Sequence, residues 1–131
     1  MEEARQRGVV GLGMDLVEVE RFARVMERQG EAFLRRVFTE HEREYCGSKR
    51  DPAPFYAARF AVKEAVAKAF GTGIGERMSF LDIEVRHLDS GAPTVELKGP
   101  AAELARQRGV CGVLVTLSHT DTVAGATVLL Q

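Results

Sequence analysis

FYAARFAVKEAVAKAFGTGIG, residues 55–75, carries two patterns end to end. Phe55, Val62, Val66 and Ala69 recur at helical spacing through an alanine-rich run, and Gly71 follows where a helix commonly stops on a left-handed residue. The spacing predicts a helix over 55–70, the strongest in the chain. Beyond the glycine-spaced segment 71–75 the period falls from 3.6 to 2. Leu81, Ile83 and Val85 alternate with Asp82, Glu84 and Arg86, and after the turn signal DSGAP, Val95 and Leu97 alternate again. A hairpin therefore follows the long helix.

Upstream, Gly8–Leu16 reads as a first strand, and Val17–Arg28 as an amphipathic helix with Val19, Phe22, Val25 and Met26 on its apolar side and Gly30 as its stop. The apolar segment AFLRRVF leads to Thr39, which with Glu42 forms an S/T-x-x-E capping box for a second helix ending at Gly47. SKRDPAP reads as a loop. Downstream, Pro100 opens a short helix carrying Leu104 and closed by Gly109. Two apolar runs, VCGVLVTLS and VAGATVLL, read as paired, well-buried strands. The order is β-α-α-α-β-β-α-β-β, an α+β fold with mainly antiparallel pairing in a single domain over 1–131.

Composition sets outer bounds on function. Hydrophobic residues at 45% and charged residues at 28% sit near globular averages, so disorder is not expected. With 18 basic and 19 acidic side chains the formal net charge is −1, which argues against a general nucleic-acid binder. Cys46 and Cys111 have no CxxC partner or histidine at zinc-ligand spacing, so a reducing cytoplasm fits best. MEEARQRGVV has no apolar h-region, and no run approaches the ~18 apolar residues of a membrane span. Secretion and membrane insertion are not expected.

On the long helix Ala57, Ala61, Glu64 and Lys68 share one stripe, away from the Phe55, Val62, Val66 and Phe70 side. The plain reading is an i,i+4 Glu–Lys pair on a solvated face, worth roughly 0.2–0.5 kcal/mol. A second carboxylate, Asp15, favours another reading. It ends a strand face otherwise stripped to Gly11 and Gly13, while Leu12, Met14 and Leu16 take the opposite face. Either those glycines relieve a tight corner, or they clear space for something bulky to approach Asp15. If they converge, Asp15 and Glu64 suit a magnesium ion that completes its shell from a substrate phosphate, with the Lys68 charge beside that phosphate.

Other motifs fail on context. GLGMDL lacks the third glycine of a dinucleotide fingerprint, and GTGIG has no Walker lysine and follows a helix instead of opening one. As a functional loop, 71–75 would offer backbone N–H groups to an elongated ligand. Arg21, Arg24 and Arg28 make a basic stripe, either a solvated face or a docking surface for an acidic protein helix. Arg59 falls on the apolar side of its helix, which suggests a helix edge, a buried pair or an interface. His119, with Ser118 and Thr120, sits in a polar turn that suits structure or a phosphate or ribose contact.

GLGMDLVEVERF, FTEHEREYC, YAARFAVKEAVAKAFGTGIG and LSHTDTVAGATVLL, in this order and spacing, together resemble the small bacterial holo-acyl-carrier-protein synthases among the 4'-phosphopantetheinyl transferases. That resemblance implies the transferase fold. It also implies transfer of phosphopantetheine from coenzyme A to a serine of apo-acyl carrier protein, releasing adenosine 3',5'-bisphosphate. The resemblance further implies a homotrimer with active sites at subunit interfaces. Carried over residue by residue, Asp15 and Glu64 look like ligands of Mg2+, and Lys68 like the lysine beside the pyrophosphate. Arg59, His119 and Thr120 resemble coenzyme A contacts, with Gly71, Thr72 and Gly73 along the pantetheine arm. Arg21, Arg24 and Arg28 resemble the carrier-docking surface.

Overall fold

The computed structural model describes residues 8–131, and the stretch 1–7, expected to carry no leader signal, lies outside them. Strand β1 (Gly11–Glu18) leads into helix α1 (Val19–Val37), then α2 (Glu40–Gly47) and the long α3 (Pro52–Phe70). A 3₁₀ turn (Phe80–Asp82) precedes β2 (Ile83–His87) and β3 (Pro93–Leu97), followed by α4 (Gly99–Gln107), β4 (Val113–His119) and β5 (Val123–Leu130). The expected order holds. The strands form two antiparallel sheets, one ordered β1-β5-β4 and one the β2-β3 hairpin.

Helix α3 organises the molecule, and 12 of its 19 residues are buried, on both the alanine stripe and the aromatic side. Ala61, Ala65, Val62 and Val66 pack with Val128 and Leu130 of β5 and Ile83 and Val85 of β2. A second apolar cluster, around Phe22, Phe38, Tyr56 and Ala58, joins α1, α2 and the first half of α3. The two clusters meet along α3, so whatever orients this helix orients both.

Gly11 and Gly13 explain how closely α3 lies on β1. A Cβ at Gly13 would stand 1.9 Å from the Ala65 carbonyl oxygen, and one at Gly11 2.5 Å from that of Ala69. The bulky object admitted by the glycines is the helix itself, which brings Glu64 and Lys68 to the strand that carries Asp15.

Several boundaries differ from the expected ones. β1 begins at Gly11 and keeps Val17 in the strand. AFLRRVF is helical up to Val37, because α1 resumes after a kink at Gly30, whose φ of 67° interrupts it without ending it, and Phe38 is the extended cap. Pro52 starts α3 inside the expected loop, since proline suits the first helical turn, where its missing N–H is not needed. Leu81 belongs to the 3₁₀ turn and is exposed, and the expected alternation of β2 gives way to three consecutive buried residues, Ile83, Glu84 and Val85. Glu84 is covered by its ion pairs with Arg86 and Lys98 at 2.7 and 3.1 Å.

The final strands pair as expected but are not buried on both faces. Leu12, Met14 and Leu16 of β1 and Leu114 of β4 lie 50% or more exposed on the sheet face opposite α3. In the register Leu12 and Leu114 flank Leu129, so the exposed residues form one continuous apolar surface.

Candidate active site

The seam between β1 and α3 brings Asp15, Glu64 and Lys68 together. Lys68 Nζ donates to Asp15 Oδ1 at 2.8 Å and to the Met14 carbonyl at 3.1 Å. The i,i+4 pair between Glu64 and Lys68 does not form, because the backbone-close strand offers the ammonium a carboxylate and a carbonyl at once. Glu64, half-buried, has no hydrogen-bond or ion-pair partner among the described residues. Burial, followed by the nearby Asp15 charge, pushes its carboxyl pKa above the ordinary value, and Lys68 only partly offsets them.

Asp15 and Glu64 line one cleft of about 410 Å³, with Phe22, Phe33 and Phe60 contributing its apolar part and Arg21 also on its wall. Arg21 lies 3.7 Å from Glu18, both mostly in water, a separation that leaves the guanidinium loosely held. Arg24 pairs with Glu20 at 3.0 Å, and Arg28 is exposed. The three arginines thus continue from the cleft along the outside of α1.

Arg59 and His119 meet in a second cleft of about 310 Å³, together with Phe55, His87 and Ser118. Of the three placements open to Arg59, the structure selects burial with partners: it is 4% exposed. Its guanidinium carbon lies 4.5 Å from the Tyr45 ring centroid, its Nη2 3.0 Å from His87 Nε2. Lys49 reaches over Tyr45 at 4.4 Å, and His119 meets Phe55 edge-on at 4.9 Å. Burial, and after it the Arg59 charge, lowers the His87 pKa, keeping its imidazole neutral at neutral pH. Tyr45 and His87 were missed by sequence reasoning; only their adjacency across α2 and the hairpin reveals them, apart from the aromatic in FTEHEREYC. The Thr120 hydroxyl accepts the N–H groups of Thr122 and Val123 at 3.2 and 3.1 Å, which fits the turn reading of that residue.

Gly71, Thr72 and Gly73 line a third cleft of about 280 Å³ with Arg77 and Arg108. Gly71 takes the left-handed cap at φ 75°, as its position after the helix predicts. The N–H groups of Thr72 and Gly73 both return to the Ala67 carbonyl, and that of Gly75 to Met78. The backbone donors expected to face an elongated ligand are therefore mostly spent on closing α3. Arg77, not singled out by a motif, is what this cleft offers an anion, since Arg108 Nη1 already donates to the Phe70 carbonyl.

No residue lines both the Asp15 cleft and the Arg59 cleft. A shallow groove of about 330 Å³ on the outer sheet face, including Met14, Leu16, His119 and Thr120, shares Leu16 with the first and His119 with the second. No three His, Cys, Asp or Glu side chains converge as a metal cluster among the described residues. A cation beside Asp15 and Glu64 would need oxygens from another molecule, as magnesium commonly does with phosphates.

A profile of the 4'-phosphopantetheinyl transferase superfamily matches residues 11–118. The chain is 43% identical over 123 residues to the holo-[acyl-carrier-protein] synthase of Syntrophus aciditrophicus (strain SB), covering 94% of this chain and 96% of that relative. The crystal structure of holo-[acyl-carrier-protein] synthase from Neisseria meningitidis superimposes with a TM-score of 0.88 at 31% identity, covering 95% of this chain and 99% of that one. The Helicobacter pylori holo-[acyl-carrier-protein] synthase in complex with coenzyme A gives 0.82 at 30% identity, over 92% of this chain and 99% of that one.

Proposed function

The chain belongs to the 4'-phosphopantetheinyl transferase superfamily, and from that premise we propose that it moves 4'-phosphopantetheine from coenzyme A to a serine of apo-acyl carrier protein. The products are holo-carrier protein and adenosine 3',5'-bisphosphate. The observation that carries this reading is the convergence of Asp15, Glu64 and Lys68 on the glycine seam, where two carboxylates line an open cleft and one of them holds the Lys68 ammonium.

Those carboxylates fit a divalent cation. Burial and, after it, the Asp15 charge raise the Glu64 pKa, a cost that a bound cation would relieve, and Glu64 has no competing partner among the described residues. Asp15 and Glu64 are the residues that would hold Mg2+, which when bound supplies neutralising charge to the coenzyme A pyrophosphate. Glu64, or a water that it orients, takes the proton from the carrier serine as the serine oxygen bonds to the phosphorus attached to pantetheine. The bond from that phosphorus to the bisphosphate oxygen breaks, and Lys68, within reach of Asp15, stabilises the departing charge.

Arg59, His119 and Thr120 receive the nucleotide end of coenzyme A, and the 71–75 loop follows its pantetheine arm. Phosphates suit Arg59, whose guanidinium is held rigidly on Tyr45. Arg21, Arg24 and Arg28 dock an acidic helix of the carrier. The separation of the two clefts within one protomer supports a homotrimer in which one subunit's Asp15 cleft faces another's Arg59 cleft. The apolar face of Leu12, Met14, Leu16 and Leu114 is the surface such an assembly covers. No helix among the described residues is long and apolar enough to cross a membrane. We place the reaction in the cytoplasm, a setting consistent with two free cysteines.

Incubation with coenzyme A, apo-acyl carrier protein and Mg2+, followed by weighing the carrier, tests the reading. One phosphopantetheine added per carrier is the expected result. Coenzyme A binding without any mass gain would mark a binding module and overturn it.

A further inference from the structure

Beside Glu64 on α3 lies a charge that the transfer reaction does not use. Lys63 is 0% exposed, as is its partner side chain Glu42, at 2.8 Å. Its ammonium donates also to the carbonyls of Phe80, at 2.8 Å, and Ile83, so three acceptors from α2, the 3₁₀ turn and β2 use its three protons. Glu42 is equally committed, accepting the Thr39 N–H at Oε1 and the Val85 N–H at Oε2, each at 2.8 Å. Three acceptors thus fix the Lys63 nitrogen, and two backbone N–H groups fix the carboxylate that is one of them.

We propose that the buried Lys63–Glu42 pair is a positioning device for the transfer: it sets the rotation of α3 about its own axis and so aims Glu64 into the Asp15 cleft. This rests on the transferase reading above. Stability alone does not account for the pair, since well-packed apolar residues commonly replace a buried ion pair without loss. Orientation does. The glycine seam fixes how far α3 lies from β1, but glycines have no side chains with which to resist rolling of the helix. Lys63 and Glu64 lie about 100° apart around the axis, so a tripod on the one determines the direction of the other. With the Glu64 carboxylate about 6 Å from that axis, a roll of only about 10° displaces it by roughly 1 Å. The same tripod grips the backbone of Phe80, whose ring packs 5.3 Å from that of Phe60, a wall of the Asp15 cleft.

The test compares wild type with Lys63→Met/Glu42→Gln, which removes both charges at similar shape, and with Glu42→Asp, which keeps the charge but shortens its arm. Turnover is expressed per folded molecule, and Mn2+ binding is followed by electron paramagnetic resonance in the presence of coenzyme A. Expected are kcat losses of about 100-fold in the double variant and about 10-fold in Glu42→Asp, the KM for coenzyme A within threefold, and Mn2+ binding at least tenfold weaker. If the double variant does not fold, Glu42→Asp decides alone. Unchanged kcat per folded molecule together with unchanged Mn2+ binding in the folded variants overturns the proposal. A wild-type protein that transfers nothing would instead overturn the transferase reading, and the Mn2+ measurement would still judge the role of the pair.

Discussion

Replacing Gly13 by alanine places one methyl in the seam between β1 and α3. That carbon would stand 1.9 Å from the Ala65 carbonyl oxygen, 2.8 Å from the Ala69 nitrogen and 2.9 Å from the Ala65 carbonyl carbon. All three are backbone atoms, so no rotamer change relieves the clash. Restoring even a tight 3.0 Å contact requires strand and helix to part by about 1 Å. Overpacking of a core costs typically ~1–3 kcal/mol, and with rigid neighbours on one side the upper end is expected here, ~3 kcal/mol. The Asp15–Lys68 contact of 2.8 Å spans the same seam, and such a separation stretches it beyond hydrogen-bond range. A displacement of that size is worth ~100-fold in rate. Urea unfolding followed by circular dichroism measures the first effect, and carrier mass gain per minute the second. Gly47→Ala is the control: its nearest neighbour would be the Tyr56 hydroxyl at 4.0 Å, so it is expected to be neutral or stabilising by up to ~1 kcal/mol. A Gly13→Ala protein that unfolds within ~0.5 kcal/mol of wild type and keeps its turnover would refute the claim that this glycine sets the site's geometry.

Reversing the arginine stripe with Arg21→Glu/Arg24→Glu/Arg28→Glu should raise the KM for the carrier at least tenfold and flatten its salt dependence while leaving unfolding midpoints nearly unchanged. Equal carrier KM values would remove the docking role. Arg59→Lys loses the planar stack on Tyr45 and should raise the KM for coenzyme A about tenfold, checked by steady-state kinetics, with kcat largely kept. Met14→Glu/Leu16→Glu puts charge on the exposed sheet face and should yield smaller, inactive species in sedimentation; a fully active variant of unchanged size would exclude that face as an interface. For Glu84, burial raises the carboxyl pKa, but hydrogen bonds from Thr39, Arg86 and Lys98 overcome it and hold the group at about 2 instead of 4.5. A depressed carboxyl contributes stability that is complete above 4.5 and lost as pH falls toward 2. Because both basic partners stand partly in water, on the order of 2 kcal/mol is expected. Glu84→Gln should narrow the difference between urea midpoints at pH 7 and pH 3, and an unaltered difference would contradict the assignment.

Elements with local causes were legible in the sequence. The Thr39–Glu42 capping box forms as its spacing predicts, and Gly71 ends α3 in the left-handed region. Less legible were features that need two distant segments. Lys63 falls in an ordinary helical run, and Glu42 was already accounted for by its cap. Nothing local shows that the same carboxylate also reaches Lys63 and Val85. Gly13 signalled that something approaches the strand, but only the packed helix identifies it. The i,i+4 expectation for Glu64 and Lys68 was overridden by a partner 53 residues away.

The alternation in β1 also proofreads its own alignment. A slip of one residue against β5 would exchange the strand's faces and turn Leu12 or Met14 toward α3. At the Ala65 crossing there is no room even for a β-carbon, so a misregistered strand cannot close on the helix at all. The two glycines thereby convert a one-residue pairing error from a slightly worse core into an unclosed protein, with Asp15 delivered to Lys68 only in molecules that have paired correctly.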